Sequence, residues 1–259
     1  MKNSLIFLVL WWANSAIHAA ENSLNAEAKD TAGLPARIHI SYTVRTGIGH
    51  GELNETVDIN QESDSHTYSI SSNAQATGVF KLVNPGNIFR NSQGIVTELG
   101  LRPVRYSDER TNNNSSMALF DWENRILTLK HQNEEKQTTL NIDTQDRLSL
   151  SYHFIFAPEH ILKTGNLLAI NVTDGRSHHL MQFEVSREKL STPLGEMETI
   201  VLTKQHNQDD KMQRKIWLAP KYHMIPVQIQ TIEEDGLNVD KMIAEIQIDY
   251  TENNTCCKK

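Results

Sequence analysis

Apolar and polar residues alternate along most of this chain, and the alternation predicts strands. Ile38, Ile40, Tyr42 and Val44 are separated by polar residues, the period-two pattern of a strand with one buried face, and Thr46-Gly-Ile-Gly-His50 supplies a turn after them. The same pattern predicts strands from Thr56 to Ile59, Thr67 to Ala74, Ile95 to Leu99, Leu101 to Tyr106, Met117 to Trp122, Ile126 to Lys130 and Thr138 to Ile142. It resumes after Gly165 with Leu167 to Val172, His179 to Arg187, Met197 to Lys204, Lys215 to Leu218, Val227 to Glu233 and Val239 to Tyr250. Asn84-Pro85-Gly86, Glu123-Asn124, Asp174-Gly175 and Asp235-Gly236 punctuate these runs as turns. Pro103 cannot donate to a ladder, so it predicts an edge or a bulge in its strand.

Between the two series lies Asp143 to Pro158, where periodicity reads both ways. Leu148, Leu150, Tyr152, Phe154 and Phe156 alternate like a strand, while Leu148, Tyr152 and Ile155 share a helical face. Asp143 or Thr144 can cap a first helical turn and Pro158 can end it, which favours a helix over about 144–157. The expected fold class is mainly β. It is one large curved antiparallel sheet of about a dozen strands, a half or full barrel, because long twisted sheets curl or close to protect their edges. The helix is expected on or in the concave face.

The first twenty residues break the pattern. Lys2 is followed by the apolar run Leu5 to Ala13 and then by small residues up to Ala19-Ala20, which is the plan of a secretory signal peptide cleaved near Ala19 or Ala20. A run this short falls well below the roughly 20 residues of a membrane-spanning helix, so the expected product is exported and not transmembrane. The expected organisation is a leader over 1–20, a flexible lead-in over 21–36, a single β-rich domain over 37–250 and a polar tail over 251–259. Loss of Lys2 takes the formal net charge from -7 to -8. An acidic domain without clustered Lys and Arg is a poor partner for nucleic acid. Cys256 and Cys257 are adjacent, too close for an unstrained disulfide, so the fold is expected to hold without one.

Catalytic signals are absent. There is no Gly-x-Ser-x-Gly elbow and no phosphate-cradling glycine loop. His178 and His179 fall on opposite faces of a strand, no zinc-ligand spacing occurs, and neither metal nor cofactor is expected. The acidic runs Glu233-Glu234-Asp235 and Asp209-Asp210 read as solvated loop charges, and Asp146-Arg147 as a helix cap with an ion pair. Arg90, Arg102, Arg105, Arg110 and Arg176 either gather around an anion or cover the surface.

Several phrases together carry a resemblance: Tyr42; Gly94 with Gly100-Leu-Arg-Pro103; Phe120-Asp-Trp122; Gln145-Asp-Arg-Leu-Ser149; Thr192-Pro-Leu-Gly195; and Trp217-Leu-Ala-Pro220 with Pro226-Val-Gln-Ile229. In this order, over about Arg37 to Tyr250, they resemble the exported bacterial domain-of-unknown-function family 3108. The resemblance implies a periplasmic protein of a Gram-negative bacterium with a β-rich fold, no settled activity and no catalytic residues to carry over. The Cys256-Cys257-Lys-Lys tail departs from it.

The expected function is a non-enzymatic periplasmic carrier of an apolar or amphipathic envelope ligand, a lipid or lipoprotein, held between sheet and helix. Candidate lining residues are Phe120, Trp122, Leu148, Tyr152, Phe154 and Trp217; the same residues equally serve as core. The alternatives are an envelope assembly protein that binds a protein partner by a strand edge or apolar patch, and an enzyme acting on an envelope polymer.

Overall fold

A computed structural model describes residues 35–47, 49–62, 65–77, 86–111, 115–206 and 212–250. The expected leader, most of the lead-in, the cysteine tail, Asn84-Pro85 and Asp209-Asp210 lie outside them. The chain divides into two compact units, Met1–Pro35 with Tyr250–Lys259, and Ala36–Asp249. Of the first, only Pro35 and Tyr250 are described; the sheet interior belongs to the second.

Among the described residues, fifteen strands form one curved sheet that does not close on itself. The first series is β1 (Pro35–Thr46), β2 (Gly49–Glu62), β3 (Ser65–Ala76), β4 (Asn87–Thr97), β5 (Gly100–Arg110), β6 (Ser116–Asp121), β7 (Ile126–His131) and β8 (Glu134–Thr139). The second is β9 (Gln145–Asp146), β10 (Leu167–Thr173), β11 (His178–Thr192), β12 (Gly195–Lys204), β13 (Gln213–Ala219), β14 (Ile225–Ile232) and β15 (Asn238–Tyr250). The spatial order runs from β8 back to β1, then β15, and back down to β9. From β1 at mid-sheet the strands therefore meander to one edge, cross to the other and meander back to β15 beside β1. The two-residue pairing of β9 with β10 is parallel, in contrast to the antiparallel hairpins of both meanders.

The crossing is the Asp143 to Pro158 segment. Its helical part is shorter than expected: α1 spans Ser149–Tyr152, followed by a 3-10 turn at His153–Ile155. Neither Asp143 nor Thr144 caps α1, whose N-cap Leu148 carries no side-chain cap; Asp146, just ahead of it, accepts the backbone amides of Leu148 at 2.8 Å and Ser149 at 2.7 Å, while Gln145 and Asp146 are drawn into the sheet beside β10. A segment apolar all round its axis must be buried all round. Here Leu148 and Tyr152, four residues apart, pack into a core that draws on β1 to β7 and on β12 to β15, and Leu150 and Phe154 pack into a second core built on β10 to β14. The segment is thus a plug seated in both cores.

Further contacts hold the plug to β5. Gln145 Nε2 donates to the carbonyl of Leu101 at 2.8 Å, and Leu101 N donates to His153 Nδ1 at 3.2 Å. Gly100 makes this approach feasible: its φ is +115°, and a Cβ there would stand 2.4 Å from the His153 ring. The expected irregularity at Pro103 is present, since the β4–β5 register shifts between Gln93 and Gly94, with Pro103 opposite Gly94. At the open edge, β8 carries exposed Glu134, Glu135 and Lys136, charges that discourage pairing with another chain.

Candidate functional site

Inside the concave face the strands do not present an unbroken apolar surface. Because side chains alternate, Leu53, Glu55, Val57 and Ile59 of β2 all face inward, and Glu55 is 2% exposed among them. Strand register extends this position sideways: Glu55 pairs with Ser72, Ser72 with Arg90, Arg90 with Asp108, and Asp108 with Ser116. A polar row therefore crosses five strands of an otherwise apolar interior.

Burial forces every group in that row to find partners. Glu55 accepts hydrogen bonds from Ser72 Oγ at 2.9 Å and from the Tyr152 hydroxyl of the plug. Tyr42 donates to the Pro226 carbonyl at 2.7 Å and lies 3.4 Å from the Tyr152 oxygen. With both protons committed elsewhere, that last contact is polar proximity rather than a hydrogen bond. Burial lifts both hydroxyls well above the usual tyrosine range, and the Glu55 charge adds to it. Asp108 accepts Arg90 Nε at 3.0 Å and Arg110 Nε at 3.2 Å; burial pushes it up, but the two guanidinium groups outweigh burial and hold it below the ordinary carboxylate range.

A second chain of hydrogen bonds anchors the plug. Ser92 Oγ donates to Asp146 Oδ2 at 2.6 Å, which leaves Tyr68 as donor to Ser92 Oγ at 3.1 Å. Asp146 is fully enclosed, and burial raises it to about 6 in spite of the donors from Ser92, Ser149 and Leu148. Arg147 pairs with Glu233 at 2.5 Å, so this acidic residue is not a free loop charge. Burial works against the Arg147 charge, but Glu233 outweighs it and the guanidinium is raised.

Two cations complete the interior. Arg214 is 6% exposed; its NH2 group reaches Ser151 Oγ at 3.2 Å and the Arg147 carbonyl at 3.4 Å, and its Nε has no acceptor. Lys241 is half-buried, and burial lowers its ammonium to about 8, with Arg90, Arg214 and Arg147 adding to the effect and Glu55 opposing it. Arg214 is lowered to about 10 by burial and by Arg147. The Tyr106 hydroxyl, fully enclosed, is also unpartnered.

The six aromatic and aliphatic candidates do not gather in one place. Phe120, Leu148, Tyr152 and Trp217 belong to the larger core and Phe154 to the second. Trp122 packs against the larger core, stacks on Phe120 at 6.1 Å, carries Arg102 over its ring at 4.6 Å and donates Nε1–H to the Pro103 carbonyl at 2.6 Å. Trp217 is capped by Lys215 at 4.4 Å and donates to Glu188. An open recess of about 150 Å³ lies instead at the ends of β1 to β4, walled by Val44, Ala74, Ala76, Ile88 and the glycines 49, 51 and 86, with Thr46, His50, Glu52 and Gln75 also lining it. None of the six lines it.

Along the strands this recess leads into the polar row. Ala74 and Ile88 stand two residues from Ser72 and Arg90 on the same face, about 7 Å at the rise of a β-strand. An aliphatic mouth thus gives way to buried hydrogen-bonding groups. Periodicity missed Glu55, Arg214 and Lys241. The signal that could have found them is a charged residue in the buried slot of an alternating strand, as in Leu53-Asn-Glu55-Thr-Val57.

The family model described as protein of unknown function (DUF3108) matches residues 37–242. The chain belongs to that family. The DUF3108 fold is similar to the beta-barrel-like protein of domain of unknown function DUF1849 from Brucella abortus, with a TM-score of 0.50 and 10% identity over 83% of this chain and 99% of the other. MucB aligns with a TM-score of 0.31 and 8% identity over 90% of this chain and 59% of its own, and a DUF1329 family protein from Desulfovibrio piger with a TM-score of 0.24 and 6% identity over 93% and 95%. No curated protein matches the sequence significantly. Among the described residues of this DUF3108 chain, no group of three His, Cys, Asp or Glu is placed to hold a metal, and no helix is long and apolar enough to cross a membrane.

Proposed function

We propose that this DUF3108 protein is a non-enzymatic periplasmic carrier of an apolar or amphipathic envelope ligand. The observation that carries the reading is the aliphatic recess at the ends of β1 to β4, opening beside a buried polar row on the concave face. Small side chains there leave room for a hydrocarbon chain, and apolar walls favour it by about 0.8 kcal/mol for each methylene taken from water. The recess is the entry. The far end of a longer ligand reaches the plug, where Leu148 and Tyr152 exchange core contacts for ligand contacts. The periplasmic address rests on the leader-like first twenty residues, and fractionation of cells producing the tagged protein checks it.

Filling the recess tests the carrier reading. Ala74→Trp is expected to abolish uptake of a fluorescent fatty acid by the purified protein while its circular dichroism and urea midpoint stay close to the parent's. Native mass spectrometry of the parent is expected to reveal a co-purifying lipid that the variant lacks. Undiminished uptake in Ala74→Trp, or a parent that neither carries lipid nor takes up the probe, would sink the proposal.

A further inference from the structure

The interior charges do not balance in detail. Asp108 is held by Arg90 and Arg110, and Glu233 by Arg147. Glu55 takes its hydrogen bonds from two hydroxyls, and Asp146 takes its own from Ser92 and two backbone amides. This leaves Arg214 and Lys241 without a carboxylate at hydrogen-bond distance. Arg214 offers a bare Nε, Lys241 makes no hydrogen bond or ion pair among the described residues, and the enclosed Tyr106 hydroxyl has no acceptor.

These groups belong to one neighbourhood. Arg214 reaches Ser151 and Arg147 of the plug from β13, Lys241 faces inward beside Ile229 on β15, and Arg90 sits in the polar row. The electrostatic influence of Glu55, Arg90 and Arg147 is felt at both Arg214 and Lys241. Taking an unpaired guanidinium out of water is costly, and proteins retain such groups where a partner of opposite charge arrives. Donors without acceptors call for a group rich in acceptors. A carboxylate or phosphate ester has only acceptors to offer, and guanidinium suits both.

We propose that Arg214 and Lys241, supported by Arg90 and Arg147, bind the oxyanion head of an amphipathic ligand whose hydrocarbon tail lies toward the recess of β1 to β4. The proposal rests on the carrier reading and narrows it to anionic amphiphiles. The polar row sets the geometry: the head lies beyond Glu55 and Ser72, and the tail runs past Ala74 and Ile88.

Calorimetric titration of the purified protein with dodecanoate, dodecyl phosphate, dodecanol and inorganic phosphate tests it. Both anionic amphiphiles are expected to bind about tenfold tighter than dodecanol, or more, which is what loss of a charge-assisted hydrogen bond is worth. Arg214→Met and Lys241→Met are each expected to bring them down to the dodecanol level and leave dodecanol itself unchanged. Equal binding of dodecanol and dodecanoate overturns the anionic head and leaves the carrier standing. Binding of inorganic phosphate alone, lost in Arg214→Met, supports the oxyanion site and overturns the carrier. Failure of all four ligands overturns both. The urea midpoint of unliganded Arg214→Met is a second readout: it is expected to hold or rise, because the substitution removes an unpaired buried charge. A lowered midpoint with unchanged dodecanoate affinity marks Arg214 as a structural residue and overturns its role in binding.

Discussion

Asp146→Ala is expected to cost about 4 kcal/mol of stability at pH 5, where the native carboxyl is largely protonated and all its bonds are in place. The substitution strips the acceptor from the amides of Leu148 and Ser149 and the hydrogen-bond partner from Ser92 Oγ, all of them buried, and so undoes the start of the plug. Asp146→Asn behaves differently, since it keeps an acceptor for the amides and can donate to Ser92, whose own proton then turns to Tyr68. The sign of the pH effect follows from which state holds the proton more tightly. A carboxyl whose folded value is raised from 3.8 to about 6 binds its proton more tightly in the folded protein, so its contribution is full below pH 3.8 and is lost as pH rises through 6. At roughly 1.4 kcal/mol for each tenfold difference in proton affinity, the loss is about 3 kcal/mol by pH 8. Asp146→Asn is therefore expected to match the parent near pH 4 and to exceed it by up to about 3 kcal/mol at pH 8. Urea midpoints across that range measure both variants, and an Asn variant that runs parallel to the parent would show that the buried carboxyl carries no such penalty.

The opposite slope is expected from His153. Burial lowers the imidazole from 6.5 to about 4, with the charge of Asp143 working against burial. The unfolded chain takes up a proton first as pH falls, so stability declines from about pH 6.5 down to about pH 4, by roughly 3 kcal/mol in total. In the parent this decline is masked by the gain from Asp146 over nearly the same window. It is expected to emerge in full in Asp146→Asn, and to vanish in Asp146→Asn with His153→Asn, where the amide oxygen can still accept from Leu101. The second substitution lowers stability at pH 7 through lost packing against Phe154 and Gly100. A double variant that retains the acid slope would assign that slope to another group.

How much of this was legible depends on what faces inward. Strands with aliphatic inner faces announce themselves, as in Ile38, Ile40 and Tyr42, and the turns at Asp174-Gly175 and Asp235-Gly236 carry glycines at φ +84° and +83° as their sequences require. The first half of β4 was invisible, because its inward positions include Arg90 and Ser92, which leave no apolar alternation to read. The plug was legible as apolar but not in its length, since Gln145 and Asp146 gained more from pairing with β10 than from extending a helix. The polar site depended on register across five strands, a relation between residues far apart in sequence that local periodicity does not encode.

The route of the chain through the sheet also bears on how it can assemble. Every neighbouring pair of strands is consecutive in sequence except β1 and β15, which are separated by nearly the whole domain. Hairpins zip at small entropic cost, whereas the β1–β15 seam must close a loop that contains thirteen other strands. Seating the plug offsets part of that cost, because Leu148 and Tyr152 pack into the core that both meanders share and Leu150 and Phe154 into that of the second. The segment that fills the interior of the finished molecule thereby also offsets the entropy of closing its long-range seam.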